Sequence, residues 1–145
     1  MDLTINEPAK VQTYGKVVNT DGVYEGEFKD DRRHGKGTMT YVNGSKYEGS
    51  WQAGKKYGQG TLMEADGTIR RGFWRKGRLD GSGEEIGRDG KYVGIFKQGK
   101  FEGRGEKTYP DGSVYNGTWK QGIREGRGSL TFSDERAGAR YVGEF

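Results

Sequence analysis

Apolar and polar positions alternate along most of this chain, but the apolar ones are largely aromatic. Tyr24-Glu25-Gly26-Glu27-Phe28 sets the pattern. Ring, glycine and ring at i, i+2 and i+4 share one face of an extended strand, while the acids between them point to the other. The same pentad returns as Tyr47-Glu48-Gly49-Ser50-Trp51, Arg70-Arg71-Gly72-Phe73-Trp74, Tyr92-Val93-Gly94-Ile95-Phe96, Tyr115-Asn116-Gly117-Thr118-Trp119 and Tyr141-Val142-Gly143-Glu144-Phe145. Its central glycines are spaced 23, 23, 22, 23 and 26 residues apart. A fixed period of this length settles the architecture before local propensity does.

Nine residues after each of the first five central glycines comes a glycine pair: Gly35/Gly37, Gly58/Gly60, Gly81/Gly83, Gly103/Gly105 and Gly126/Gly128. Seven residues further on, in four units, lies Asn43-Gly44, Asp66-Gly67, Asp89-Gly90 or Asp111-Gly112. The Asx-Gly steps close one end of a hairpin, and Asp31, Gly54, Gly77, Gly99 and Gly122 mark a second turn at the other. The chain therefore reads as all-β: an elongated single-layer antiparallel meander of about twelve strands, open at both ends. One of these strands precedes Tyr24, from Gly15 to Thr20. At about 4.8 Å per strand the array would extend roughly 50 to 60 Å.

A ring-gap-ring strand leaves a slot with no Cβ at its middle, and the glycine pairs supply further slots. Rings of neighbouring repeats are expected to lie flat across this bare backbone. An odd-length repeat keeps its rings on one face only if one of its two turns is odd and the other even. The natural assignment is a two-residue turn at Ala53-Gly54 and a three-residue turn with a glycine bulge at Ala65-Asp66-Gly67. The 22-residue unit lacks one residue after Asp89-Gly90, which predicts a shortened turn or a register fault at 88–91. The insertion SDERAGAR at 133–140 predicts a longer loop.

Composition fits this reading. Of 145 residues, 30% are hydrophobic, 32% are charged and 28 are glycine, a balance close to that of disordered chains. Nine Tyr, six Phe and three Trp argue against disorder. There is no Cys, which excludes disulfides and thiolate metal sites and fits a reducing compartment. No apolar run has the length of a signal-peptide core or a membrane span, so a cytoplasmic protein is expected. The net charge of +4, with acids interleaved, permits an anionic partner without requiring one.

Units such as YEGEFKDDRRHGKGTMTYVNGSK and YEGSWQAGKKYGQGTLMEADGTI closely resemble the MORN repeat, with its Tyr-x-Gly-x-Trp, Gly-x-x-His-Gly-x-Gly and late Asp-Gly. The resemblance covers residues 13–145 and leaves 1–12 as an N-terminal flank. Units fall at 13–23 (partial), 24–46, 47–69, 70–91, 92–114, 115–140 and 141–145 (partial). Departures are Arg70 for Tyr, Asp31 for the turn Gly, and Tyr57, Asp80, Glu102 and Glu125 where the family favours His. The resemblance implies a twisted single sheet of hairpins with a shallow groove along one face. MORN arrays occur beside lipid kinases, SET-domain methyltransferases, junctophilins and exchange factors, and in ciliary and cytoskeletal proteins. The resemblance implies a module that holds an extended or helical partner segment, assembles with other copies, or contacts phosphoinositides.

Catalysis finds little support in these residues, and neither an enzyme nor a cofactor is expected. His34 is the sole histidine and reads as a turn support. Glu84 and Glu85 are adjacent, so they point to opposite faces of a strand. The glycine stretches lack phosphate-loop spacing and no helix follows them. Asn43-Gly44-Ser45 and Asn116-Gly117-Thr118 fit a glycosylation sequon but read as turn and strand residues.

Two constellations remain. The first is a groove floor of Tyr24, Phe28, Met39, Tyr47, Trp51, Leu62, Trp74, Tyr92, Phe96, Tyr115, Trp119 and Leu130. In a single layer this stripe is expected to stay uncovered and to receive a segment of a larger protein. The second is basic: Arg70, Arg71, Arg75, Lys76 and Arg78, with Arg32, Arg33, Lys55 and Lys56 at equivalent turns. It offers contacts to an acidic phospholipid surface. Nucleic acid is not expected, since interleaved acids spoil a backbone track. Open sheet edges would also allow homo-oligomers.

Overall fold

The computed structural model describes residues 13–133 and 139–145. The 1–12 flank and most of the 133–140 insertion lie outside the described residues. Twelve strands follow one another: β1 (Thr13–Asn19), β2 (Gly22–Lys29), β3 (Arg32–Tyr41), β4 (Lys46–Gln52), β5 (Lys55–Met63), β6 (Ile69–Arg75), β7 (Arg78–Gly87), β8 (Gly90–Lys97), β9 (Lys100–Thr108), β10 (Val114–Lys120), β11 (Ile123–Thr131) and β12 (Arg140–Glu144). Each pairs antiparallel with the next, and spatial order equals sequence order. No helix is present among the described residues. The first strand is Thr13–Asn19, close to the span expected from Gly15 to Thr20.

Both turn types follow the parity argument. Asp30-Asp31, Ala53-Gly54, Lys76-Gly77, Gln98-Gly99 and Gln121-Gly122 are two-residue turns with both φ angles positive, the primed geometry that matches strand twist. At the opposite ends, three-residue turns cover 42–44, 65–67 and 110–112. Glu64 N–H donates to Thr68 O at 2.8 Å, Gly67 N–H donates to Glu64 O at 2.9 Å, and Gly67 takes φ 92°. Asn43, Asp66 and Asp111 each accept the backbone N–H two residues on. At 88–91 the turn is short: Gly87 pairs directly with Gly90, leaving Arg88 and Asp89 between them. That deletion keeps β8 in step, so the rings of the fourth unit stay on the common face.

A feature that simple alternation does not contain recurs in each of the five complete hairpins. Gly26 pairs with Gly37, yet Phe28 pairs with Arg33, so β3 carries two extra residues opposite Glu27. The same bulge separates Gly49 from Trp51, Gly72 from Trp74, Gly94 from Phe96 and Gly117 from Trp119. Two extra residues preserve parity, which is why the facing assignment survives. The first glycine of each pair, Gly35, Gly58, Gly81, Gly103 or Gly126, takes a positive φ within this bulge.

Only the second glycine of the pair is therefore a slot, which corrects the expectation of two. A Cβ on Gly37 would sit 2.1 Å from the Tyr24 hydroxyl, and one on Gly60 would sit 2.1 Å from that of Tyr47. Each tyrosine thus lies over the glycines of its own hairpin rather than those of a neighbouring repeat. From there its hydroxyl donates to the carbonyl three residues on: Tyr24 to Glu27, Tyr47 to Ser50, Tyr92 to Ile95 and Tyr115 to Thr118, at 2.7–2.9 Å. That carbonyl lies where the bulge interrupts the ladder, so the motif's tyrosine supplies a hydrogen bond the sheet does not.

Candidate partner-binding face

Contacts between repeats are made edge to face. Tyr24 meets Trp51 at 5.4 Å and 90°, Tyr47 meets Trp74 at 5.5 Å and 86°, and Tyr92 meets Trp119 at 5.5 Å and 88°. Indole N–H groups bind the sheet itself: Trp51 donates to Gly37 O, Trp74 to Gly60 O and Trp119 to Gly105 O. Tyr92 and Phe101 form the stacked pair, at 3.8 Å and 5°. Burial pushes the Tyr24 and Tyr92 hydroxyls up to about 12 and raises those of Tyr47 and Tyr115.

These contacts correct the picture of an uncovered stripe. Tyr24, Met39, Tyr47, Trp51, Trp74, Tyr92, Phe96, Tyr115 and Trp119 share the anticipated face but are buried, with exposures of 0–6%. They form the core of a single layer by covering one another. Phe28, Leu62 and Leu130 are half-buried on the same face, together with Tyr41, Phe101, Tyr109 and Phe145. The accessible apolar surface of this ring face is this second tier. Phe101 and Tyr109 border a shallow cavity of about 530 Å³ with Trp119, Ile123 and Arg124.

The sequence reading missed Tyr41, Leu79, Phe101, Lys107, Tyr109 and Arg124. One usable signal was position: Arg33, Lys56, Leu79, Phe101 and Arg124 each fall second after a two-residue turn. There each faces the last ring of its own pentad across the hairpin: Phe28, Trp51, Trp74, Phe96 and Trp119 in turn. Arg33 lies 4.7 Å from the Trp51 ring centre, Lys56 5.4 Å from Tyr47, and Arg124 5.5 Å from both Tyr115 and Phe145. Lys107 lies 5.2 Å over Phe101.

The basic constellation is split rather than gathered. Arg33 and Lys56 sit on the ring face. Arg70 bridges Glu64 and Glu85, and Arg71 pairs with Glu84 on the other face. Arg32, Lys55, Arg75, Lys76 and Arg78 are exposed along the rim of two-residue turns. Arg75, Lys76 and Arg78 border one open cavity of about 470 Å³ with Asp80 and Gln98. Along this rim Lys29 pairs with Arg32, Arg75 with Arg78 and Lys97 with Lys100, like charges directly across the ladder. His34 is half-buried in the bulge of β3. Among the described residues no group of three or more His, Cys, Asp or Glu could hold a metal, and no helix is long and apolar enough to cross a membrane.

Comparison with known families agrees with this repeat geometry. The family model described as MORN repeat matches residues 24–46, 47–69, 71–91, 92–114 and 115–135. No curated protein matches the chain.

Proposed function

The chain belongs to the MORN-repeat family, and from that premise we propose that it is a non-enzymatic scaffold whose ring face holds a segment of a larger protein. The observation that carries this reading is the second tier of Tyr41, Leu62, Phe101, Tyr109 and Leu130, half-buried above a sealed aromatic row. Each of these residues keeps apolar surface that a segment lying along the array would remove from water. The buried rings hold the floor rigid, so little ordering is required when a partner arrives. A cytoskeletal, motor or ciliary partner fits such an elongated module.

The test is site-specific photo-cross-linking in extract of the protein's native cells. A photoreactive side chain at Tyr109 or Leu62 should yield protein adducts, and one at Glu106 or Asn116 on the opposite face should not. Equal adducts from both faces, or none from the ring face, would sink the proposal.

A second reading has its own observation. The three like-charge pairs on the turn rim work against the sheet, and each cross-strand repulsion costs a few tenths of a kcal/mol. An acidic membrane surface would relieve that cost, so the rim suits an adaptor for anionic lipid. Binding to phosphatidylserine vesicles that is lost in Arg75→Gln/Arg78→Gln supports it. Binding that survives in that variant refutes it.

A further inference from the structure

The two faces treat charge differently. On the face opposite the rings, Lys46 pairs with Glu48 at 2.9 Å, Arg71 and Lys91 share Glu84, and Arg127 meets Glu144 at 3.9 Å. On the ring face, Arg33, Lys56, Lys107 and Arg124 have no carboxylate partner among the described residues. Their contacts are aromatic rings, with the Met39 sulfur and the Gly54 carbonyl added for Arg33. Arg70 is the exception on that face, held between Glu64 and Glu85.

We propose that the segment received by the ring face is acidic, with carboxylates that meet Arg33 and Lys56 in one half and Lys107 and Arg124 in the other. The inference rests on the ring-face reading above and names the partner's chemistry. A cation over a ring keeps its full charge, yet its side chain is already held in place, so an arriving carboxylate orders little in order to pair with it. Successive units lie two strands apart, about 9.6 Å. Three residues of extended polyproline-II chain, which bring a side chain back to the same side, or about six of helix, cover that distance. A matching segment therefore repeats its acids at about that interval. In the third unit the corresponding position holds Leu79, which is buried, and Arg70 is already neutralised. The segment should be uncharged there. A flat membrane would reach the exposed rim first, whereas these four cations are half-buried among rings and suit a narrow partner.

Fluorescence anisotropy tests the proposal with two labelled peptides long enough to span the array, one repeating leucine-serine-glutamate and the other leucine-serine-glutamine. The glutamate peptide should bind about tenfold more tightly. Arg33→Gln/Lys56→Gln/Lys107→Gln/Arg124→Gln should abolish that difference. Lys46→Gln/Arg71→Gln/Lys91→Gln/Arg127→Gln removes the same charge from the other face and should preserve it. Should the first variant fail to fold, photo-cross-linking of the glutamate peptide to the native chain at Tyr109 against Glu106 decides the face. Equal affinity for the two peptides overturns the inference, and so does equal loss in both variants, which would signal net charge alone. Binding to phosphatidylserine vesicles with no peptide binding also overturns it. Ring-face adducts from cell extract combined with equal peptide affinities would leave the partner reading standing and remove only the acidic requirement.

Discussion

At the scale of single residues, the tyrosine of each pentad carries several constraints at once. Tyr47 has no exposed surface, lies against Gly49 and Gly60, and donates to Ser50 O at 2.9 Å. Gly60→Ala would place a methyl 2.1 Å from that hydroxyl, so the ring must move. We expect a loss of about 3 kcal/mol in urea unfolding, from overpacking. Tyr47→Phe should cost about 1–3 kcal/mol, because the Ser50 carbonyl then lacks its donor. Alkali acts on the same hydroxyls. Burial holds Tyr24 and Tyr92 at about 12, against about 10 in an unfolded chain. A raised folded pKa stabilises fully below about pH 10, and that contribution drains away as pH climbs to about 12. Tm should therefore begin to fall above about pH 10, with a shallower fall in Tyr92→Phe.

At the scale of elements, the two-residue turns set the strand twist and also link repeats. The turn glycine N–H donates to the preceding repeat: Gly54 to Arg33 O, Gly99 to Leu79 O and Gly122 to Phe101 O, at 2.8–3.0 Å. The first such turn has Asp31 where the others have glycine, with φ 62°. A Cβ in the left-handed region is strained, and Asp tolerates it better than most. Asp31→Gly should raise stability by about 0.5–1 kcal/mol, measured by the urea midpoint at unchanged m. No gain would mean that the carboxylate compensates locally. Turn lengths were legible because parity constrains them. The two-residue bulge was not, since an even insertion leaves every ring on its expected face.

Across the whole molecule the aromatic row has a break. Ring contacts run from Phe28 through Tyr24, Trp51 and Tyr47 to Trp74, then resume from Phe96 through Tyr92, Trp119 and Tyr115 to Phe145. Between them stand Arg70 with its two glutamates and the buried Leu79. In a linear array each unit is stabilised only by its neighbours, so the weakest junction sets where partial opening occurs. Native-state hydrogen exchange should show faster amides in β6 and β7 than in β4 or β10. Uniform protection from β4 to β10 would show that the ion pairs and Leu79 couple the halves as well as rings do. Arg70 stood out in the sequence as a departure from the repeat, but its two partners did not, since Glu64 and Glu85 come from flanking positions that only pairing brings together.

The ring-glycine-ring period by itself determined the strands, the hairpins, the meander order and the shared face of the aromatics, because each of these follows from spacing and parity along one chain. Tertiary structure alone decided that the rings are sealed and that the accessible apolar surface of their face is the tier above them. It also decided which cations lie over rings with no carboxylate partner among the described residues and which are neutralised. Those outcomes depend on contacts between side chains from 6 to 30 residues apart, whose geometry is fixed by edge-to-face packing and by the bulge, and neither leaves a mark on the alternation of the sequence.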